Sequence, residues 1–168
     1  RQLKDTKIRT WWRFWASAFD QKKFDEDIES LKTFYKDEGH RDFTILSDSI
    51  YYDQKKRGLV VLINIVEGEK YKFRNFSWEG NSLYTEEMLQ SALNLNKGDI
   101  FSQSGFDKSV YQDVQSLYMD RGYLYSNIEP FFTPVGDDSM DVHFSVTENN
   151  KVYVRNINIY GNTKTREN

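Results

Sequence analysis

The feature that most constrains this chain is that it nearly repeats itself after roughly 80 residues, a period too long for a solenoid but right for tandem small units. Phe34-Tyr35-Lys36-Asp37-Glu38-Gly39-His40 aligns with Leu117-Tyr118-Met119-Asp120-Arg121-Gly122-Tyr123. Ile63-Asn64-Ile65-Val66-Glu67 aligns with Phe144-Ser145-Val146-Thr147-Glu148, and the run from Arg74 to Asn81 aligns with Arg155 to Asn162. Matched blocks in the same order require that one architecture occur twice.

The second copy is complete and shows what each block is. Phe76 and Trp78 alternate with polar residues, as a half-buried strand does, and Gly80-Asn81 supplies the turn after it. Thr85 is placed as a helix N-cap, with Glu86 and Glu87 in the first turn and Met88, Leu89, Ala92 and Leu93 as the apolar face. A second helix is expected to open at Ser104, with Asp107 as capping partner and Phe106, Val110, Val114 and Leu117 at helical spacing. Gly122 stands where a left-handed helix terminus belongs. Tyr123 to Phe132 reads as a strand, Pro134 with Gly136-Asp137-Asp138 as a turn, and Val142, Phe144 and Val146 as one face of a final strand. The order is strand, helix, helix, strand, strand.

In the first copy Arg1 to Lys7 reads as the tail of a first helix, and Phe24, Ile28, Leu31 and Phe34 mark a second helix ended by Gly39. Strands are expected near Phe43 to Tyr52 and Leu59 to Val66. The domain reading is therefore residues 1–70 as a repeat lacking its first strand, 71–149 as a complete repeat, and 150–168 as the first strand of a following one. On this reading both ends cut through a repeat. The short Val66 to Lys72 connection suggests a restrained joint. Val61, Ile63 and Ile65 share one strand face, while Val60, Leu62 and Val66 make the opposite face apolar too, which either contact with a neighbour or plain strand propensity explains.

Composition narrows function by exclusion. A net charge of −3 and pI near 5.5 disfavour nucleic acid as a partner, which needs a basic face. The chain has no cysteine, so thiolate metal sites and disulfides are excluded. His40 and His143 stand apart in sequence from any acid–nucleophile pattern. No glycine loop of phosphate-binding spacing occurs. No catalytic residue, metal or cofactor is expected, and the function expected is polypeptide binding rather than enzymatic.

The motifs together resemble POTRA domains: a strand exit at Gly80-Asn81, an interhelix Gly98-Asp99-Ile100-Phe101, a helix ending from Leu117 to Tyr123, and a terminal strand from Val142 to Glu148. Gly161-Asn162 is similar to the strand exit of another such unit, and Trp11-Trp12 is similar to a pair carried by the third POTRA domain of outer-membrane protein assembly arms, which makes these the third and fourth units. The resemblance implies an α+β fold of tandem POTRA repeats, each a three-stranded mixed sheet covered by two helices. It implies an arm at the periplasmic face of the outer membrane of a Gram-negative bacterium, preceding a membrane β-barrel outside this segment. Partners implied are unfolded outer-membrane proteins and accessory lipoproteins.

Exposed strand edges accept extended peptides through main-chain hydrogen bonds. The expected edges are Phe43, Thr44, Ile45, Leu46 and Ser47 in the first copy and Tyr125, Ser126, Asn127 and Ile128 in the second. Solvated or neighbour-covered edges are the plainer alternative. Trp11, Trp12 and Trp15 are either docking aromatics or, as the more ordinary reading, rings folded back onto their own unit. Two rival functions remain: the arm of a related translocation or secretion barrel, and a structural spacer that binds no substrate.

Overall fold

The computed structural model describes residues 20–55, 58–158 and 160, so Trp11, Trp12 and Trp15 lie outside the described residues. In the first repeat Asp20 caps helix α1 (Gln21–Asp37) by accepting from the N–H groups of Lys22 and Lys23. Strands β1 (Thr44–Asp53) and β2 (Gly58–Val66) then form an antiparallel hairpin. The apolar stripe of α1 differs by one position from the sequence reading. Phe34 is 59% exposed, whereas Tyr35 stacks on Phe43 with ring centroids 4.2 Å apart. Tyr35 follows Leu31 by one turn and carries a hydroxyl that reaches Glu67 at 3.2 Å, so it is half-buried with its ring packed and its tip polar. On β2 only Ile65 is buried, and residues from Val60 to Asn64 are half-buried on both faces.

The second repeat is β3 (Lys72–Glu79), α2 (Glu86–Leu93), a long helix, β4 (Asn127–Val135) and β5 (Ser139–Thr147). The long helix comprises α3 (Gln103–Lys108), a π-helical turn (Ser109–Val114) and α4 (Gln115–Asp120). The sheet order is β3-β5-β4, with β5 parallel to β3 and antiparallel to β4, which is the mixed sheet expected. Met140, Val142, Phe144 and Val146 alternate inward from β5, and they meet Leu89, Leu93, Phe106, Val110, Val114 and Tyr118 from the helices. Phe106, Val110, Val114 and Tyr118 recur every fourth residue, a spacing that drifts around an ordinary α-helix. The wider π turn keeps them on one face.

Four local expectations are corrected. Ser102, not Ser104, caps the long helix, its hydroxyl accepting from the Gly105 N–H at 3.2 Å. Met88 is 48% exposed, because its position on α2 turns away from the fully buried Leu89 and Leu93. The strand read from Tyr123 begins at Asn127, since Tyr123 N–H is spent on the Tyr118 carbonyl and Ser126 N–H on the Tyr123 carbonyl. Pro134 belongs to β4, and the turn is Gly136 to Asp138. Thr85 does cap α2, accepting from Met88 N–H, with Glu86 and Glu87 in the first turn.

Candidate functional site: strand edges and the joint between repeats

The two repeats offer unequal edges. The start of β3 is covered by the Gly98 to Phe101 element: Phe73 N–H donates to the Asp99 carbonyl, Gly98 N–H to Phe73, and Phe101 N–H to Tyr71. An antiparallel bridge joins Lys72 to Ile100. That motif is therefore an edge cover, a role spacing alone did not reveal.

β4 is open but blunted. Pro130 faces Phe144 and Pro134 faces Met140 across the ladder. Proline has no N–H, so these are non-hydrogen-bonded pairs, and the bonds to β5 come from the odd-numbered positions between them. The backbone of Ile128, Pro130, Phe132 and Pro134 thus points to the outer edge. A donor is missing there at every second position, a common protection against edge pairing. Of the residues expected on this edge, Asn127 and Ile128 open β4, and Tyr125 and Ser126 lie in the turn before it.

β1 is different. Its ten residues contain no proline, and among the described residues only β2 pairs with it. Thr44, Ile45, Leu46 and Ser47 lie on this strand, whereas Phe43 precedes it with a buried ring. A register shift between Ile45 and Ser47 bulges the strand at Leu46, which is 61% exposed. From Ser47 to Asp53 the pairing is regular. Beside the bulge a cavity of about 410 Å³ is lined by Ile28, Lys32, Phe43, Thr44, Ile45 and Asp48.

The expectation that both histidines stand alone is corrected for His143. The parallel β3–β5 register sets Ser77 opposite it, with Ser77 Oγ 2.9 Å from Nδ1, and Glu79 Oε1 lies 3.4 Å from Nε2. The Ser–His–Glu line is a cross-strand network on the sheet's polar face. β5 is central and its main chain is committed to both neighbours, leaving no pair of N–H groups there to form an oxyanion hole. His40 instead sits at the joint, its Nδ1 3.2 Å from the Gly68 carbonyl.

The joint is the most polar cluster between the repeats. Asp37, at the end of α1, accepts from Ser104 N–H at 2.7 Å, Ser104 Oγ at 2.7 Å and Ser102 Oγ at 3.1 Å, and so caps the long helix of the second repeat from outside. Burial alone would raise the Asp37 carboxyl, but the serine hydrogen bonds outweigh it and hold the group below the ordinary carboxylate value. Tyr71 donates its hydroxyl to Asp42 at 2.8 Å, a bond that with burial pushes the phenol upward. The Arg41 guanidinium lies 4.6 Å from the Phe132 ring centre, and Lys70 pairs with Glu38 at 3.4 Å. Gly39, at φ +101°, receives the Tyr71 N–H on its carbonyl, and a Cβ there would stand 2.8 Å from Ile100. The short connection is therefore bridged by hydrogen bonds and a cation–ring contact between the repeats.

Comparison with known proteins agrees with this anatomy. A family model for POTRA, described as a surface antigen variable number repeat, matches residues 3–68 and 71–149. The outer membrane protein assembly factor BamA of Neisseria meningitidis is 28% identical over 99% of this chain and 21% of its own length. BamA of Buchnera aphidicola is 25% identical over 94% of this chain and 26% of its own. The chain therefore spans about a quarter or less of these relatives. The crystal structure of Haemophilus influenzae BamA POTRA3-5 has a similar fold, with a TM-score of 0.65 at 23% identity over 96% of this chain and 65% of that one. With both repeats matched by the family model and the mixed sheet and paired helices in place, the chain belongs to the POTRA family.

Proposed function

We propose that this chain is part of the periplasmic arm of a BamA-like outer-membrane protein assembly factor, and that it holds unfolded outer-membrane proteins by pairing them with the outer edge of β1. The observation that carries the edge assignment is the contrast among strands. β3 is covered at its start, β4 lacks outward donors at Pro130 and Pro134, and β1 is long, free of proline and paired, among the described residues, only with β2. Main-chain pairing suits clients of varied sequence, because the bonds are made by groups every residue carries. The cavity between α1 and the Leu46 bulge supports the same reading, since it would take one client side chain beside the strand. Accessory lipoproteins are further partners on this reading, and the third and fourth units of the arm are the ones this chain would supply.

The joint favours a second reading, in which the segment only fixes a distance. Asp37, Asp42 and Arg41 tie the repeats together in the manner a rigid spacer requires. Titrating a peptide from a barrel strand while following backbone amides separates the two. Saturable shifts along Thr44 to Asp53 support the edge. Shifts confined to β2 would mean that the peptide fills that strand's other side, and no saturable shift would leave the spacer.

A further inference from the structure

The cavity beside the Leu46 bulge has a counterpart position in the second repeat, and the two repeats finish it differently. Ile45 and Asp48 are three apart, so on a regular strand they would face opposite ways. The bulge between Ile45 and Ser47 instead sets them across from Ile65 and Ile63, which are two apart and share a face. Asp48 is thereby turned to the side that carries α1, at the rim of a cavity lined otherwise by Ile28, Lys32, Phe43, Thr44 and Ile45.

In the second repeat the ladder runs from Asn127 to Val135 without a shift, and Pro130, across from Phe144, stands where Asp48 does. Lys32 corresponds to Gln115, which reaches from the helix to donate to the Ser126 carbonyl at 2.8 Å and to Ser126 Oγ at 2.7 Å. Lys32 turns its ammonium to Glu29 of its own helix, at 2.7 Å. The second repeat ties helix to strand at this place, whereas the first leaves it open.

The chemistry of the opening selects its occupant. An apolar cavity of roughly 150 Å³ holds a benzene ring. This one is about 410 Å³, so an aromatic side chain enters with space for a polar tip. Phe43, buried and stacked on Tyr35, offers the ring an apolar contact together with Ile28 and Ile45. The exposed carboxylate of Asp48 at the rim is an acceptor for a donor tip, and the Lys32 charge beside it disfavours a cationic side chain. Strands of membrane barrels carry aromatic side chains at the two ends of their apolar band.

We infer that the cavity is a register anchor for a strand paired on β1. It takes one tyrosine or tryptophan side chain, with the ring against Ile28, Phe43 and Ile45 and the phenol O–H or indole N–H donating to Asp48. The anchored residue sits at the bulge, and the client runs on along the regular stretch from Ser47 to Asp53. The inference rests on the β1 edge reading, since the side chain arrives with the paired strand, and it names the residue class that edge selects.

Fluorescence anisotropy with the full natural protein tests it, using labelled barrel-strand peptides that differ only in one end residue: tyrosine, phenylalanine, leucine or arginine. The tyrosine peptide is expected to bind about fivefold more tightly than the phenylalanine peptide, the share of a charged hydrogen bond that an exposed rim retains, and the leucine peptide more weakly than both. Asp48→Ala should bring the tyrosine-to-phenylalanine ratio to about one, and Asp48→Asn, which keeps an acceptor, should retain part of it. All four peptides binding equally tightly overturns the anchor and leaves the edge reading standing. No binding by any of them overturns both. Tightest binding by the arginine peptide makes the site cation-selective and overturns the inference. A photoreactive residue in place of Lys32 that links to the chain's own residues 1–19 rather than to the tyrosine peptide would assign the cavity to that segment and overturn it as well.

Discussion

Replacing Asp37 by alanine should loosen the coupling between the repeats more than it disturbs either one. The carboxylate accepts three hydrogen bonds from Ser102 and Ser104, one of them from a helix N–H with no other partner in its helix. A hydrogen bond to a charged group contributes about 1.5–3 kcal/mol when well shielded. Asp37 is only half-buried and water replaces part of what is lost, so the expected cost of Asp37→Ala is about 1.5 kcal/mol. In a two-repeat unit of this size that corresponds to a fall in Tm of about 3–6 °C. Ser104→Ala removes one hydroxyl contact and should cost about 0.5–1 kcal/mol. The double variant should fall short of the sum by at least about 0.5 kcal/mol, because both changes remove the same bond. Urea unfolding followed by circular dichroism supplies all four corners of the cycle. The pH dependence has a fixed sign. The folded pKa of Asp37 lies below its ordinary value of 3.8, so its contribution is complete above that value and fades as pH falls through the folded pKa. Wild type and Asp37→Ala should therefore converge in strong acid. Strictly additive losses, or a difference that persists unchanged at the lowest pH, would refute the reasoning.

Three further outcomes follow from the same geometry. Replacing Pro130 and Pro134 together by threonine restores outward donors on β4, and should raise either peptide uptake on that edge or self-association, read by light scattering and amide shifts. Tyr118 is fully buried and its hydroxyl has no hydrogen-bond partner among the described residues, so Tyr118→Phe should stabilise by about 1 kcal/mol in thermal unfolding. Burial, with Glu148 and Tyr84 nearby, pushes that phenol up to about 12, so its ionisation leaves wild-type stability unchanged below the ordinary value of 10 and lowers it as pH rises from 10 to about 12, a fall the Phe variant should not show. Gly80 sits at φ +78° with its missing Cβ aimed into the Val146 carbonyl oxygen, so Gly80→Ala should cost at least about 3 kcal/mol, measured by urea unfolding.

The fold was largely legible because its elements are written locally. Thr85 with Glu86 and Glu87 announces α2, and the alternation of Val142, Phe144 and Val146 announces β5. What escaped were features that depend on residues distant in sequence. Asp37 reads as one more surface acid until the joint brings it to Ser104, and that serine then looks like the N-cap it is not. Ser77 and His143 are brought together only by a parallel register that no turn specifies. The site was the least legible part. An expected strand and an expected edge are different claims, and the prolines of β4 were visible in the sequence without their facing direction, which needs the ladder. Tyr35 takes the packed position expected of Phe34 for a similar reason, since helical spacing permits either and only Phe43 decides between them.

The central claim, that β1 receives unfolded clients, is tested most directly by site-specific photo-cross-linking in the full natural protein in living cells. Photoreactive residues would replace Leu46, Ser49 and Tyr52 on β1 and Phe131 on β4, all exposed. Adducts with unfolded outer-membrane proteins are expected from the β1 positions and few or none from Phe131. Equal yields from both strands, or clients captured only from Phe131, would contradict it.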